Sequence, residues 1–157
     1  MVLSETSLKW IMRFYPPLLF QRIWIHRFYK GFRGVEVKVF KSIFNKNYNG
    51  TIFGGTIFAA ADPCYPVLFD RILKSPDRRL KIWSKSSKID FLKPANSSLT
   101  FKISITDQQL QEALAVLNAS GKYENTLAID IFNVDGEICV SLQNEVYIRD
   151  LNFKPTE

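Results

Sequence analysis

Residues 45–73 read NKNYNGTIFGGTIFAAADPCYPVLFDRIL, and the fold turns on how this stretch is parsed. It opens with a polar turn, Asn45 to Gly50, and passes through Gly54-Gly55 into a run of small apolar residues. A helix that starts at two glycines carries free backbone N–H groups and a partial positive charge at that end. Such groups suit an anion or a carbonyl oxygen. A helix this apolar is buried on most sides, so the rest of the chain must supply a sheet to wrap it. Asp62 is the one carboxylate inside the apolar run, and Pro63 and Pro66 follow it. Pro63 removes the donor that the Ala59 C=O would use, which predicts a kink.

Downstream, Lys74-Ser75-Pro76-Asp77 closes the helix. Residues 80–92 read as a long strand whose alternation slips at Ser84 to Ser87, where a bulge is expected. Leu99, Phe101, Ile103 and Ile105 alternate with polar residues as a second strand. Thr106 and Gln109 form a capping box ahead of a helix that carries Leu110, Ala113, Leu114 and Leu117 on one face and stops at Gly121. Leu127 to Ile131 and Ile138 to Ile148 read as strands joined at the Asp135-Gly136 turn.

Upstream, Val35, Val37 and Val39 mark a half-buried strand. Residues 7–15 predict a short helix with Ser7 as N-cap, ended by Pro16-Pro17, and residues 18–29 predict a second helix. The expected class is α+β, an antiparallel sheet around one long central helix with N-terminal helices and one small inserted helix. Residues 1–34 are expected to form a helical extension packed on a domain spanning 35–157.

The chain has 157 residues, 46% of them apolar, which suits one domain with a sizeable core. Cys64 and Cys139 lie at no metal-ligand spacing, and His26 is the only histidine, so neither a metal site nor a disulfide framework is expected. A reducing cytoplasm is the simplest home. Of the net charge of +6, residues 1–34 hold six basic groups against Glu5, while the other 123 residues hold 15 basic and 14 acidic groups. Basic character concentrated at one end argues against a nucleic-acid groove through the fold. The N-terminus is not an ordinary signal peptide, because Arg13, Pro16-Pro17 and Gln21-Arg22 cut its apolar stretches. Residues 7–29 have two readings: an amphipathic cover with Trp10, Trp24 and the phenylalanines buried, or a basic aromatic membrane-surface helix. The first is expected here, and with it no membrane association.

A strand, an Asn-rich turn, G-T-x-x-G-G-x-x-x-x-x-x-D on a helix and then a meander of strands resembles the hot-dog fold, in particular the phenylacetate-type acyl-CoA thioesterases. The N-terminal helical pair and the inserted helix resemble, more narrowly, a hot-dog family of unassigned function. The resemblance covers about residues 35–150 and is sharpest from Asn47 to Asp62. It implies that Asn47 positions substrate or water, that the Gly54 N–H polarises the thioester carbonyl, and that Asp62 is general base or nucleophile. It also places Phe53 and Gly55 beside the substrate, and Ser84 where a strand hydroxyl orients water. Phe53 stands where that branch has His, and a phenyl ring makes none of an imidazole's hydrogen bonds.

Thioester hydrolysis needs an oxyanion donor, a carboxylate and an acyl channel. Gly54 and Asp62 are eight residues apart, about 12 Å along a helix, so one carbonyl cannot meet both within one chain. A working site therefore requires a homo-oligomer, a dimer or a dimer of dimers, with Asn47 and Gly54 from one chain and Asp62 from another. The substrate would be a coenzyme A thioester, with no other cofactor, and Arg78, Arg79 and Lys81 are candidates for its phosphates. Each residue also has a plainer reading. Asp62-Pro63 is a helix-start pair, Gly54-Gly55 allows close packing, Asn47 suits a turn, and the basic trio suits a solvated loop. The alternative function is a catalytically silent hot-dog module that binds an acyl group or a partner.

Overall fold

The computed structural model describes residues 3–154. Its elements are α1 (Glu5–Phe14), α2 (Pro16–Phe20), β1 (Ile23–Phe28), β2 (Gly34–Val39), α3 (Gly54–Ala61), α4 (Cys64–Ile72), β3 (Leu80–Phe91), β4 (Leu99–Ser104), α5 (Asp107–Ser120), β5 (Lys122–Phe132) and β6 (Ile138–Asp150). The six strands form one antiparallel sheet in the order β1-β2-β4-β5-β6-β3. This is the expected α+β hot-dog architecture.

Strict alternation makes the sheet two-faced. Val35, Val37 and Val39 of β2, Leu99, Phe101 and Ile103 of β4, Ile129 and Ile131 of β5, and Leu142, Val146 and Ile148 of β6 are all buried. They close on Ile57, Ala60 and Ala61 of α3 and on Leu68 and Phe69 of α4, which are buried with them in one cluster. The capping box at Thr106 and Gln109 forms as expected, and Gly121 ends α5 in the left-handed region at φ 67°. The register of β3 against β6 shifts between Ser84 and Ser86, the expected bulge.

The N-terminal segment departs from expectation in three ways. Ser4, not Ser7, caps α1, accepting from the Ser7 N–H. The second helix is only Pro16–Phe20. Residues 23–28 are a strand, pairing with β2 through Ile23–Val39 and Ile25–Val37. Ile23 and Ile25 alternate with Trp24 and His26, and Arg22 at φ 61° turns the chain out of the helix before them. Residues 1–34 thus carry part of the sheet itself.

The expected burial of the aromatics holds for Phe28 and largely for Trp24 but fails in α1 and α2. Trp10 is 44% exposed, Phe14 63% and Phe20 72%, because Leu8, Met12 and Leu18 are the residues that α1 and α2 turn inward.

Candidate functional site

The polar turn is built by its asparagines. Asn45 is buried, and its side-chain amide donates to the C=O groups of Gln21 and Phe40 at 2.8 and 2.9 Å. Its own C=O accepts from the Phe53 N–H at 2.7 Å, which sets where the following helix begins. Asn47 accepts from the Asn49 and Thr51 N–H groups at 3.0 and 3.2 Å and donates to Thr51 Oγ1 at 2.9 Å. Its oxygen is therefore occupied in the turn, and one amide hydrogen stays free for a ligand.

At the start of α3, the Thr56 and Ile57 N–H groups both reach the Phe53 C=O. Among the described residues the Gly54 and Gly55 N–H groups donate to nothing. Both glycines lie under phenyl rings. A Cβ on Gly54 would stand 2.8 Å from Phe91 Cζ, and one on Gly55 would stand 2.3 Å from Phe53 Cε1. Ordinary carbon contacts need about 3.5–4.0 Å, so a side chain at either position would push the exposed ring over it aside. Beside them opens a cleft of about 390 Å³, with Asn47, Thr51 and Gly54 on one side and Phe91, Leu92 and Pro94 on the other. That is within the range of small-molecule sites. The Ile52 N–H bonds the Ala95 C=O at 3.0 Å and closes its floor.

Asp62 is elsewhere. It joins α3 to α4 with φ −49° and ψ −49°, and Pro63 follows at φ −77° and ψ −11°. Its side chain does not cap α4, so the helix-start reading is not the observed geometry. The kink has a double cause. Pro63 deprives the Ala59 C=O of its helical donor, and Pro66 deprives the Asp62 C=O in the same way. Ser84 Oγ and Asn144 Nδ2 replace the second donor, reaching the Asp62 C=O at 3.1 and 3.4 Å, and Asn144 also donates to Ser84 Oγ at 3.1 Å. Ser84 thus touches Asp62 as the resemblance implies, but through the backbone. Asn144 is fully buried, and its Oδ1 has no partner among the described residues.

The neighbouring thiol is not a nucleophile. Burial, with a smaller contribution from the Asp62 charge, holds Cys64 far above the ordinary thiol range, and its Sγ donates to the Ala60 C=O at 3.2 Å. Tyr65 is pushed up to about 12, chiefly by burial. Among the described residues no cluster of His, Cys, Asp or Glu is arranged to hold a metal ion.

The structure gathers Asn47, Phe53, Gly54 and Gly55 at one place and Asp62 with Ser84 at another. Arg78 and Arg79 lie just before β3, whose 12 residues end at Phe91, so about 36 Å of strand separates them from the cleft. Arg78 is also engaged, donating to Asn118 Oδ1 and lying 4.0 Å from Asp150 Oδ2. Sequence reasoning missed Asn144 and Phe91. Asn144 was detectable as the one polar residue in the inward row of β6. Phe91 was not, since its contact with Gly54 spans 37 positions.

The family model for Domain of unknown function (DUF4442) matches residues 5–148. No curated protein matches the chain. Among solved structures, a Pseudomonas aeruginosa protein described as of unknown function and as a "Probable Thioesterase" superposes with a TM-score of 0.82 at 17% identity, covering 96% of this chain and 98% of that one. A thioesterase from Haemophilus influenzae gives 0.69 at 14% identity, over 96% of this chain and 94% of that one. The PaaI protein of the Escherichia coli phenylacetic acid degradation operon gives 0.63 at 16% identity, over 98% and 100%. At these identities the likeness is one of fold.

Proposed function

The chain belongs to the family described as Domain of unknown function (DUF4442), and on that premise we propose that it is an acyl-CoA thioesterase-like hydrolase with its site shared between two subunits. The observation that carries this reading is the Gly54 N–H, free of any partner among the described residues at the head of α3, on a residue that lines a largely apolar cleft beside Asn47. An unpaired, pre-oriented N–H in a partly dry site is what a developing oxyanion needs. The similar structures named as thioesterases support the same class of chemistry.

In the proposed reaction the thioester carbonyl lies at Gly54, with its acyl chain along Ile57, Phe91 and Pro94. The Asp62 carboxylate of a second copy takes a proton from water, and the water oxygen bonds to the carbonyl carbon. The oxyanion collapses, the C–S bond breaks, and the coenzyme A thiolate leaves with the proton. No cofactor is required, and the reaction is placed in the cytoplasm. The unpaired edge of β3 supports a second copy, because it offers a 12-residue row of free backbone groups. Antiparallel pairing of two β3 edges is isologous and would bring the far end of one strand, with Arg78 and Arg79, toward the cleft end of the other.

The silent-module reading rests on a specific observation too: the Asn47 oxygen is spent on the turn, and the Phe53 ring supplies no hydrogen bond. One experiment separates the two. Turnover is measured over short, long and aromatic acyl-CoAs for the wild type and for Asp62→Asn. We expect turnover that drops at least about 100-fold in Asp62→Asn with folding intact, since an amide neither accepts a proton nor attacks. Saturable acyl-CoA binding without turnover of any substrate would leave the silent module instead.

A further inference from the structure

We infer that the face formed by α1, α2, the outer side of β1 and the turn at residues 40–48 docks on an anionic phospholipid surface. The inference does not depend on the reaction assigned above. It starts from the exposed aromatics that the N-terminal segment fails to bury.

Trp10, Phe14, Trp24 and Phe40 are linked on this face. Trp10 stacks on Phe14 with ring centroids 5.9 Å apart and meets Trp24 edge-on at 6.5 Å. Trp24 and Phe40 share a groove of about 450 Å³ with Leu19 and Arg22. The Phe40 N–H bonds the Arg22 C=O at 3.0 Å, and the Asn45 amide ties the turn to Gln21 and Phe40. That tie joins the turn carrying Phe44, 73% exposed, and Ile43, 77% exposed, to the end of α2, where Phe20 is exposed. Tyr48, 97% exposed, stands on the same turn. Isolated exposed apolar residues need no explanation, but a contiguous aromatic patch does.

Charge identifies what covers it. Residues 1–46 contain nine Lys and Arg against two acids, Glu5 and Glu36, while residues 47–157 contain 12 basic and 13 acidic groups. Of the two, Glu36 is paired with cations, which leaves Glu5 as the one acid of this segment without a cationic partner in an ion pair among the described residues. Glu5 accepts from the Gly31 N–H at 2.8 Å, and Glu36 is buried between Arg27, Tyr29 and Lys102. Arg22 and Lys46 are exposed beside the aromatic rings. Aromatic rings interleaved with unopposed cations are the composition of an interfacial membrane site, where rings enter the headgroup layer and cations meet lipid phosphates. A protein partner would need a matching acidic and apolar surface, and a second copy of this face would set cation against cation. Among the described residues no helix is long and apolar enough to cross a membrane, so the contact is peripheral. The same turn forms one wall of the cleft at Asn47 and Thr51, so a docked chain would hold the cleft close to the lipid.

The test is sedimentation of the full chain with phosphatidylcholine vesicles, with and without about one-third phosphatidylglycerol, chosen to supply the anionic surface. Binding is expected only with the anionic lipid, with a blue shift of tryptophan fluorescence and loss at about 1 M salt, where screening cuts the reach of charge to about 3 Å. The double variant Arg22→Glu, Lys46→Glu is expected to bind at least roughly 25-fold more weakly, about five-fold per charge. Phe20→Ser with Phe44→Ser removes two exposed rings without entering the core and is expected to weaken binding while leaving the melting temperature unchanged. Absence of binding to anionic vesicles overturns the inference. So does binding that neither pair of substitutions reduces, or a change in sedimentation coefficient that shows the face to be a contact between copies.

Discussion

The two edges of the sheet are treated in opposite ways. At β1 the chain covers its own edge. Arg13 reaches from α1 to the C=O groups of Ile25 and His26, at 2.7 and 3.1 Å, where the register with β2 slips. Its guanidinium is held between the rings of Trp10 and Trp24, at 4.6 and 4.2 Å from their centroids. At β3 nothing among the described residues pairs with the edge: the strand pairs only with β6, and Trp83, Phe91 and Leu92 stay exposed. An edge twice as long is left open, while the short one receives a buried arginine. The comparison teaches that the open edge is not an oversight of a chain unable to cover edges. It lies beside Asp62 and ends at the Gly54 cleft, where the proposed second copy is needed.

The strongest way to break the comparison is to uncover β1. Arg13→Ala strands two strand carbonyls and removes a cation between two rings, so a loss of about 2–4 kcal/mol is expected. Urea unfolding would measure it, and sedimentation of the variant would show new association through β1. An unchanged midpoint would mean that Arg13 is not what closes that edge.

Beside the open edge, the corresponding device is Asn144 with Ser84. Asn144→Leu keeps the volume but leaves the Asp62 C=O one donor short, for an expected loss of about 1–3 kcal/mol. Ser84→Ala removes the shorter of the two bonds and leaves Asn144 Nδ2 at 3.4 Å, so a loss in the same range is expected. Should the two variants prove equally mild, Pro66 has created no real need for donors at Asp62.

The smallest expected effect is the share of the acid dependence that Glu36 contributes on the β1 side, since Glu124, Glu137 and Glu145 are also held below their ordinary value. The hydrogen bond from Arg27 holds Glu36 below its ordinary value of 4.5, helped by Tyr29 and Lys102 against the cost of burial. A depressed carboxylate stabilises the fold above its unfolded value, and that contribution is lost as pH falls from 4.5 through the lowered folded value. Glu36→Gln should therefore flatten the acid limb of the melting curve and leave turnover unchanged.

Much of this fold was legible because its strands alternate cleanly. Val35 to Val39, Leu99 to Ile105 and Ile138 to Ile148 carry a period of two that nothing else explains, and the Thr106-Gln109 box and the Asp62-Pro63 kink follow from local chemistry. β1 was misread because residues 18–29 satisfy a helical pattern after a proline pair that suits a helix start. Only the pairing with β2 decides it, and pairing is not local. The site divides along the same line. Gly54, Asn47 and Asp62 stand out by type and spacing, whereas the rings over the glycines and the donors to the Asp62 C=O come from strands distant in sequence.

The central claim is that each chain carries two incomplete half-sites, and mixing two inactive variants tests it most directly. Gly54→Pro removes the oxyanion donor at a first helical position that tolerates proline; the extended Phe53 before it is compatible with that change, and the exposed Phe91 ring swings aside to admit the new side chain. Asp62→Asn removes the base. Each variant alone is expected to be inactive against an acyl-CoA that the wild type cleaves. After dissociation and reassociation in equal amounts, half of the chains should sit in mixed dimers, each with one intact site, restoring about a quarter of wild-type turnover. A mixture that exchanges subunits and remains inactive would contradict the shared site.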